Sequence, residues 1–91
     1  MGTHDDGTWV EQFTQLWLEV LGVDSVTEHD DFFEIGGHSL AALRLASLIQ
    51  RELEIAVDLQ QVLANPRYGD LLAVAARAPR GPEAVSRVVT H

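Results

Sequence analysis

The chain of 91 residues carries a formal net charge of −8, has 46% hydrophobic residues and contains no cysteine. That length builds one small domain, the composition is that of a folded protein, and the lack of cysteine excludes a disulfide scaffold, a thiolate nucleophile and a Cys-ligated zinc site. No apolar stretch approaches the roughly 18 residues a membrane span needs, and the N-terminal MGTHDDGTW lacks the basic-then-apolar layout of a secretory signal, so the expected location is the cytoplasm.

Residues 1–7 read as a flexible N-terminal segment. The first helix is predicted over residues 8–21. Thr8 and Glu11 have capping-box spacing. Trp9, Val10, Phe13, Leu16, Trp17, Val20 and Leu21 then recur with helical period, and Gly22 supplies a natural C-terminal stop. The two tryptophans share one face, which marks them as core.

A long connection follows over 23–38, VDSVTEHDDFFEIGGH. Structureless connections of this length are uncommon in compact domains and often carry function. Val26, Phe32, Phe33 and Ile35 are its expected anchors to the core. Gly36-Gly37 is turn chemistry, because glycine adopts positive φ freely. This region completes a charge asymmetry: residues 1–38 hold nine acidic residues and no Lys or Arg, whereas 39–91 hold five acidic residues and six arginines. An acidic first half disfavours nucleic acid and anionic membrane. It favours a partner with a basic surface, although solubility alone also accounts for it.

The second helix is predicted over 39–53, with Ser39 as its N-cap. At 100° per residue, Ala41, Ala42, Leu45, Ala46, Leu48, Ile49 and Leu53 share a wide apolar face that must point to the core. Arg44, Ser47, Gln50 and Arg51 occupy the opposite face. Leu40 and Leu43 fall on that polar side, beside Ser39, and with His38 and Arg44 they are the candidate partner-docking residues.

Ile55, Val57 and Leu59 alternate with Glu54, Ala56 and Asp58, but a lone strand has no partner here, so an extended linker is expected. A short helix should run from Asp58 or Leu59 to Ala64 and end at Asn65-Pro66. A last helix is expected over 67–77, with Tyr68, Leu71, Leu72, Val74 and Ala75 inward. Pro79, Gly81 and Pro82 then mark the exit into a flexible tail, 79–91.

Position alone leaves two readings of Ser39. It caps a helix, or it is a modification site, because helix N-termini present free N–H groups and partial positive charge that suit a phosphodiester. The wider segment favours the second. Asp31-Phe32-Phe33-Glu34-Ile35-Gly36-Gly37-His38-Ser39-Leu40 resembles the attachment motif of peptidyl carrier proteins, the thiolation domains of non-ribosomal peptide synthetases, which runs D-x-F-F-x-x-G-G-x-S-L. The likeness extends from about Thr8 to Arg77. Gly36-Gly37-His38 resembles the peptidyl branch, since fatty-acid and polyketide carriers usually have Asp before the serine. One departure is Arg67 after Pro66, where the family often has Thr; it weakens the cap of the last helix.

The resemblance implies an all-α four-helix bundle of the acyl carrier type, with a short third helix and a long first loop. It implies that Ser39 receives 4′-phosphopantetheine from coenzyme A through a phosphopantetheinyl transferase. The thiol of that arm would hold aminoacyl or peptidyl groups as thioesters. Adenylation enzymes and condensation or tailoring domains would be the further partners of a carrier that is not itself an enzyme. The chain starts and ends close to the carrier region, so a free-standing monomer is expected, with a domain excised from a larger chain as the alternative.

Two rival readings are open to test. Gly37-His38-Ser39-Leu40-Ala41 mimics the G-x-S-x-G nucleophile elbow, but that elbow needs a preceding strand, a later acid and His, and a much longer chain. A non-catalytic module that binds a partner helix through Leu40 and Leu43 would differ from a carrier only by lacking the modification. His4, His29, His38 and His91 share no ligand spacing, so no metal site is expected.

Overall fold

A computed structural model describes residues 8–88. It contains α1 (Thr8–Leu21), α2 (Ser39–Leu48), α3 (Leu59–Ala64), α4 (Tyr68–Arg77) and α5 (Pro82–Val88). Among the described residues there is no strand, only two isolated bridges, and no helix long and apolar enough to cross a membrane. The first four helices form the expected bundle, with a long first loop and a six-residue third helix. Residues 1–7 lie outside the described part, as does whatever caps α1.

The core forms where the apolar stripes of the helices meet. Phe13, Leu16 and Trp17 of α1 pack with Ala42, Leu45 and Ala46 of α2, Val62 of α3, and Tyr68, Leu71 and Ala75 of α4. Aromatic edges knit this centre: Trp17 meets Phe32 and Tyr68 at 5.4 Å each, both nearly perpendicular. Burial of each such apolar side chain contributes about 1.5–3 kcal/mol. The Tyr68 hydroxyl shares a short hydrogen bond with Thr14 Oγ1, and Thr14 Oγ1 also bonds the Val10 carbonyl at 2.8 Å. Trp9 stays at the edge of the core, half-buried.

Four features differ from the sequence reading. Helix two does not continue uniformly to residue 53; its last turn, Ile49–Leu53, winds as a π-helix and ends on Glu54 in a left-handed conformation, φ 55°. Gln50 Nε2 there donates to the Val57 carbonyl at 2.8 Å, tying the helix end to the segment that follows. Leu48 is half-buried rather than fully inside. The linker is extended as expected, but Ile55, Ala56 and Val57 are all buried, so its two faces are both covered. Finally, the segment expected to be a flexible tail, 79–91, holds α5 at Pro82–Val88. Ala56 N–H donates to Pro79 O at 2.9 Å and Gly81 N–H to Glu54 O at 2.8 Å, while the Arg80 guanidinium lies 4.8 Å over the Trp9 ring. These contacts strap the exit of α4 back onto the linker and α1. The last residues, 89–91, lie outside the described part.

Candidate functional site: the start of helix two

The loop that delivers the chain to Ser39 is held by its own backbone. Tyr68 N–H donates to Asp30 O at 2.8 Å, Gly69 N–H to Glu28 O at 3.0 Å, and Phe32 N–H to Pro66 O at 2.7 Å. The first two bonds explain how α4 starts without a cap: Arg67 is its N-cap residue and makes no side-chain cap bond, so loop carbonyls satisfy the free N–H groups that every helix start presents. A Cβ on Gly69 would stand 3.0 Å from Glu28 O, a tight contact that a glycine avoids.

Two acidic residues of the loop close turns. Asp31 Oδ1 accepts from Phe33 N–H at 2.8 Å and Glu34 N–H at 3.2 Å. Asp30 Oδ2 accepts from Thr27 N–H at 2.9 Å. Among the described residues no group of three His, Cys, Asp or Glu is placed to hold a metal ion. Phe32 is fully buried against Trp17, and Val26 and Ile35 pack partly against the core as anchors. Phe33 is the exception: expected as an anchor, it is 38% exposed. Its ring stands edge-on to Phe32 at 5.3 Å. A loop has no periodicity from which to assign a side chain to a face.

The two glycines serve different ends. Gly36 has φ +114°, a conformation that side-chain-bearing residues rarely adopt, with open space around it. Gly37 lies flush against Phe32: an added Cβ would be 2.4 Å from two ring carbons and 2.6 Å from the Phe32 carbonyl oxygen. The same oxygen accepts the Gly37 N–H at 2.9 Å. The motif thus places its buried phenylalanine and its second glycine in direct contact, which fixes the chain one residue before His38.

His38, not Ser39, is the N-cap of α2. Its backbone is extended (φ −146°, ψ 178°), and its side chain accepts from Ala41 N–H at Nδ1, 3.3 Å away. Its carbonyl accepts the first intrahelical bond, from Ala42 N–H at 2.8 Å. Ser39 is therefore the first residue of the helix, exposed, and its hydroxyl is not needed as the cap. The expectation that Ser39 caps the helix fails because the preceding residue has an acceptor that reaches the same N–H. A neutral imidazole that accepts at Nδ1 carries its proton at Nε2. While capping, His38 has no free acceptor to take a proton from Ser39, and the segment before Ser39 is a turn, not the strand a nucleophile elbow requires.

Around Ser39 the named candidates share one exposed surface of the helix start. His38, Ser39, Leu40, Leu43 and Arg44 are all exposed, with Leu40 at 73% and Leu43 at 47%. Phe33 and Leu63, each 38% exposed, are further large apolar side chains open to solvent. Phe33 thus packs on the anchor Phe32 without being buried itself, and Leu63 is an exposed apolar residue that the helical pattern does not single out. Arg44 has no acidic partner among the described residues.

This arrangement fits a covalent phosphodiester group. An exposed hydroxyl stands in the first turn of a helix, where unpaired N–H groups favour negative charge, and no carboxylate supplies the cap. The comparisons with known proteins agree. Tyrocidine synthase 3 of Brevibacillus parabrevis is 38% identical over 73 residues, which cover 80% of this chain. The chain spans only 1% of that relative's length. A solved non-ribosomal PCP domain is 34% identical with a TM-score of 0.61, covering 75% of this chain and 83% of that one. The solution structure of an active-site mutant peptidyl carrier protein superposes with a TM-score of 0.68 at 26% identity, covering 100% of this chain and 91% of that one. Residues 11–75, which include the whole loop, the two glycines and Ser39, match the family defined by the phosphopantetheine attachment site, and the chain belongs to that family.

Proposed function

We propose that this chain is a peptidyl carrier of non-ribosomal or hybrid peptide–polyketide synthesis and that Ser39 is its attachment residue. The observation that carries the proposal is the exposed Ser39 in the first turn of α2, behind Gly36-Gly37, with the cap supplied by His38. During loading, Ser39 Oγ forms a bond to the pantetheine-bearing phosphorus of coenzyme A, the pyrophosphate P–O bond breaks, and adenosine 3′,5′-bisphosphate departs. The hydroxyl proton goes to a base on the transferase, since His38 Nδ1 is engaged with Ala41 N–H. Once bound, 4′-phosphopantetheine supplies a thiol on a long flexible arm that accepts aminoacyl or peptidyl groups.

The role is that of a carrier acted on by other proteins in the cytoplasm: a phosphopantetheinyl transferase, an adenylation enzyme, and condensation or tailoring domains. Leu40, Leu43, His38 and Arg44 border Ser39, and exposed apolar groups beside a reactive residue are suited to transient docking. The similarity to tyrocidine synthase 3 supports the peptidyl assignment. The test is to incubate the chain with coenzyme A and a transferase, then with an adenylation enzyme and amino acids. A gain of one phosphopantetheinyl mass followed by an aminoacyl mass is the expected result. A chain that gains neither is not a carrier.

A further inference from the structure

The imidazole at the start of α2 has a role that a docking residue would not have. Three bonds converge on residues 37 and 38. Gly37 N–H is held by Phe32 O at 2.9 Å, His38 O receives Ala42 N–H at 2.8 Å, and His38 Nδ1 receives Ala41 N–H at 3.3 Å. The first two use backbone and do not depend on the side chain at 38. The third does, and it is the side-chain bond that closes the first turn in which Ser39 sits. We propose that His38 is a positioning residue for the loading of Ser39: its Nδ1 caps α2 and holds the first turn closed while leaving the serine hydroxyl free. This inference rests on Ser39 being the attachment residue.

The physical basis is a division of labour between neighbours. If Ser39 capped its own helix, its Oγ would accept a backbone N–H and would have to surrender that bond on modification. With the cap one residue earlier, esterification of Ser39 leaves the cap in place. The helix start keeps the same geometry before and after loading, so a transferase meets an ordered hydroxyl.

Two amides separate this role from a docking contact. Asn places an acceptor oxygen close to the position of Nδ1, and Gln places its amide close to the position of Nε2. His38→Asn should keep the Ala41 N–H protected from hydrogen exchange and keep kcat/KM for loading within about twofold, because Asn is a favoured cap. His38→Ala and His38→Gln should expose that N–H and lower kcat/KM by roughly two- to thirty-fold, the range set by loss of an N-cap. His38 is exposed, so all three variants should fold, with far-UV dichroism as the check. Unchanged Ala41 protection in His38→Ala would overturn the proposal. So would loss of protection with unchanged loading, or a Gln variant that loads normally beside an Asn variant that does not, since that pattern assigns the contact to Nε2. If the unaltered chain accepts no phosphopantetheine, the carrier reading fails instead, and the exchange data still report on the cap.

Discussion

Gly37→Ala is the sharpest perturbation of the loop that delivers Ser39. The new Cβ would lie 2.4 Å from Phe32 Cδ2 and Cε2 and 2.6 Å from Phe32 O, whereas carbon atoms rest at about 3.5–4.0 Å. The Phe32 ring is fully buried against Trp17 and has no room to retreat. The chain must move instead, which strains the Gly37 N–H to Phe32 O bond of 2.9 Å. Overpacking of this kind costs about 1–3 kcal/mol, and a weakened turn bond about 0.5–1.5 kcal/mol. The sum, about 1.5–4.5 kcal/mol, corresponds to a fall in Tm of roughly 6–36 °C for a domain of this size. Gly36→Ala is the comparison: it meets no atom within 4 Å, so its cost comes from backbone conformation alone, about 1–3 kcal/mol. Thermal melts of both variants in the normal chain and in a Phe32→Leu background separate the causes. A smaller side chain at 32 should relieve part of the Gly37→Ala penalty, giving a coupling of about 0.5 kcal/mol or more, and should leave the Gly36→Ala penalty unchanged. A Gly37→Ala chain that melts with the parent, or a cycle that is additive for Gly37, would refute the steric account.

Leu43 is 47% exposed, so Leu43→Ala should change stability by no more than about 0.5 kcal/mol while slowing transfer to and from partner enzymes. Leu45, fully buried, is the proper control, and Leu45→Ala should cost about 2–5 kcal/mol; melts of the two variants that coincide would place Leu43 in the core. The acidic first half of the chain should steer basic partners, so the loading rate at limiting transferase should fall as salt shortens the Debye length from about 30 to about 3 Å; a flat response would reduce the charge to a solubility role.

Much of this architecture is legible from periodicity, because the helices at 8–21 and 68–77 each bury a stripe of apolar residues at helical spacing; the short helix at 59–64 buries only Val62 fully and is marked instead by its Asn65-Pro66 stop. The Ser39 motif is legible through its resemblance to the carrier attachment motif, and the fold then gives its positions separate physical roles: Asp31 closes a turn, Phe32 fills the core, Gly36 takes a positive φ, and Gly37 admits the Phe32 ring. What escaped the sequence reading depends on three-dimensional choices. Ser39 and His38 are adjacent residues that can each offer an acceptor to the first turn, and only the fold decides that His38 reaches it. Phe33 sits in an irregular turn where no repeat assigns a face. The π-helical turn at 49–53 carries a bond from Gln50 Nε2 to the carbonyl of Val57, a contact with a later segment that no local pattern encodes. The helix α5 did leave a signal: Pro82 is suited to a first helical position, and Glu83 follows in the first turn, where a negative charge is favourable. The glycine and two prolines around it pointed equally to an exit from the fold.

The central claim is that Ser39 carries the phosphopantetheine. The most direct measurement is intact and peptide mass spectrometry of the chain and of Ser39→Ala after reaction with coenzyme A and a transferase. Because His38 rather than Ser39 caps α2, Ser39→Ala should fold with little change in stability. The unaltered chain should gain one phosphopantetheinyl group on the peptide containing Ser39, and the folded variant should gain none. Modification of Ser39→Ala, or a group found on any other residue, would contradict the account.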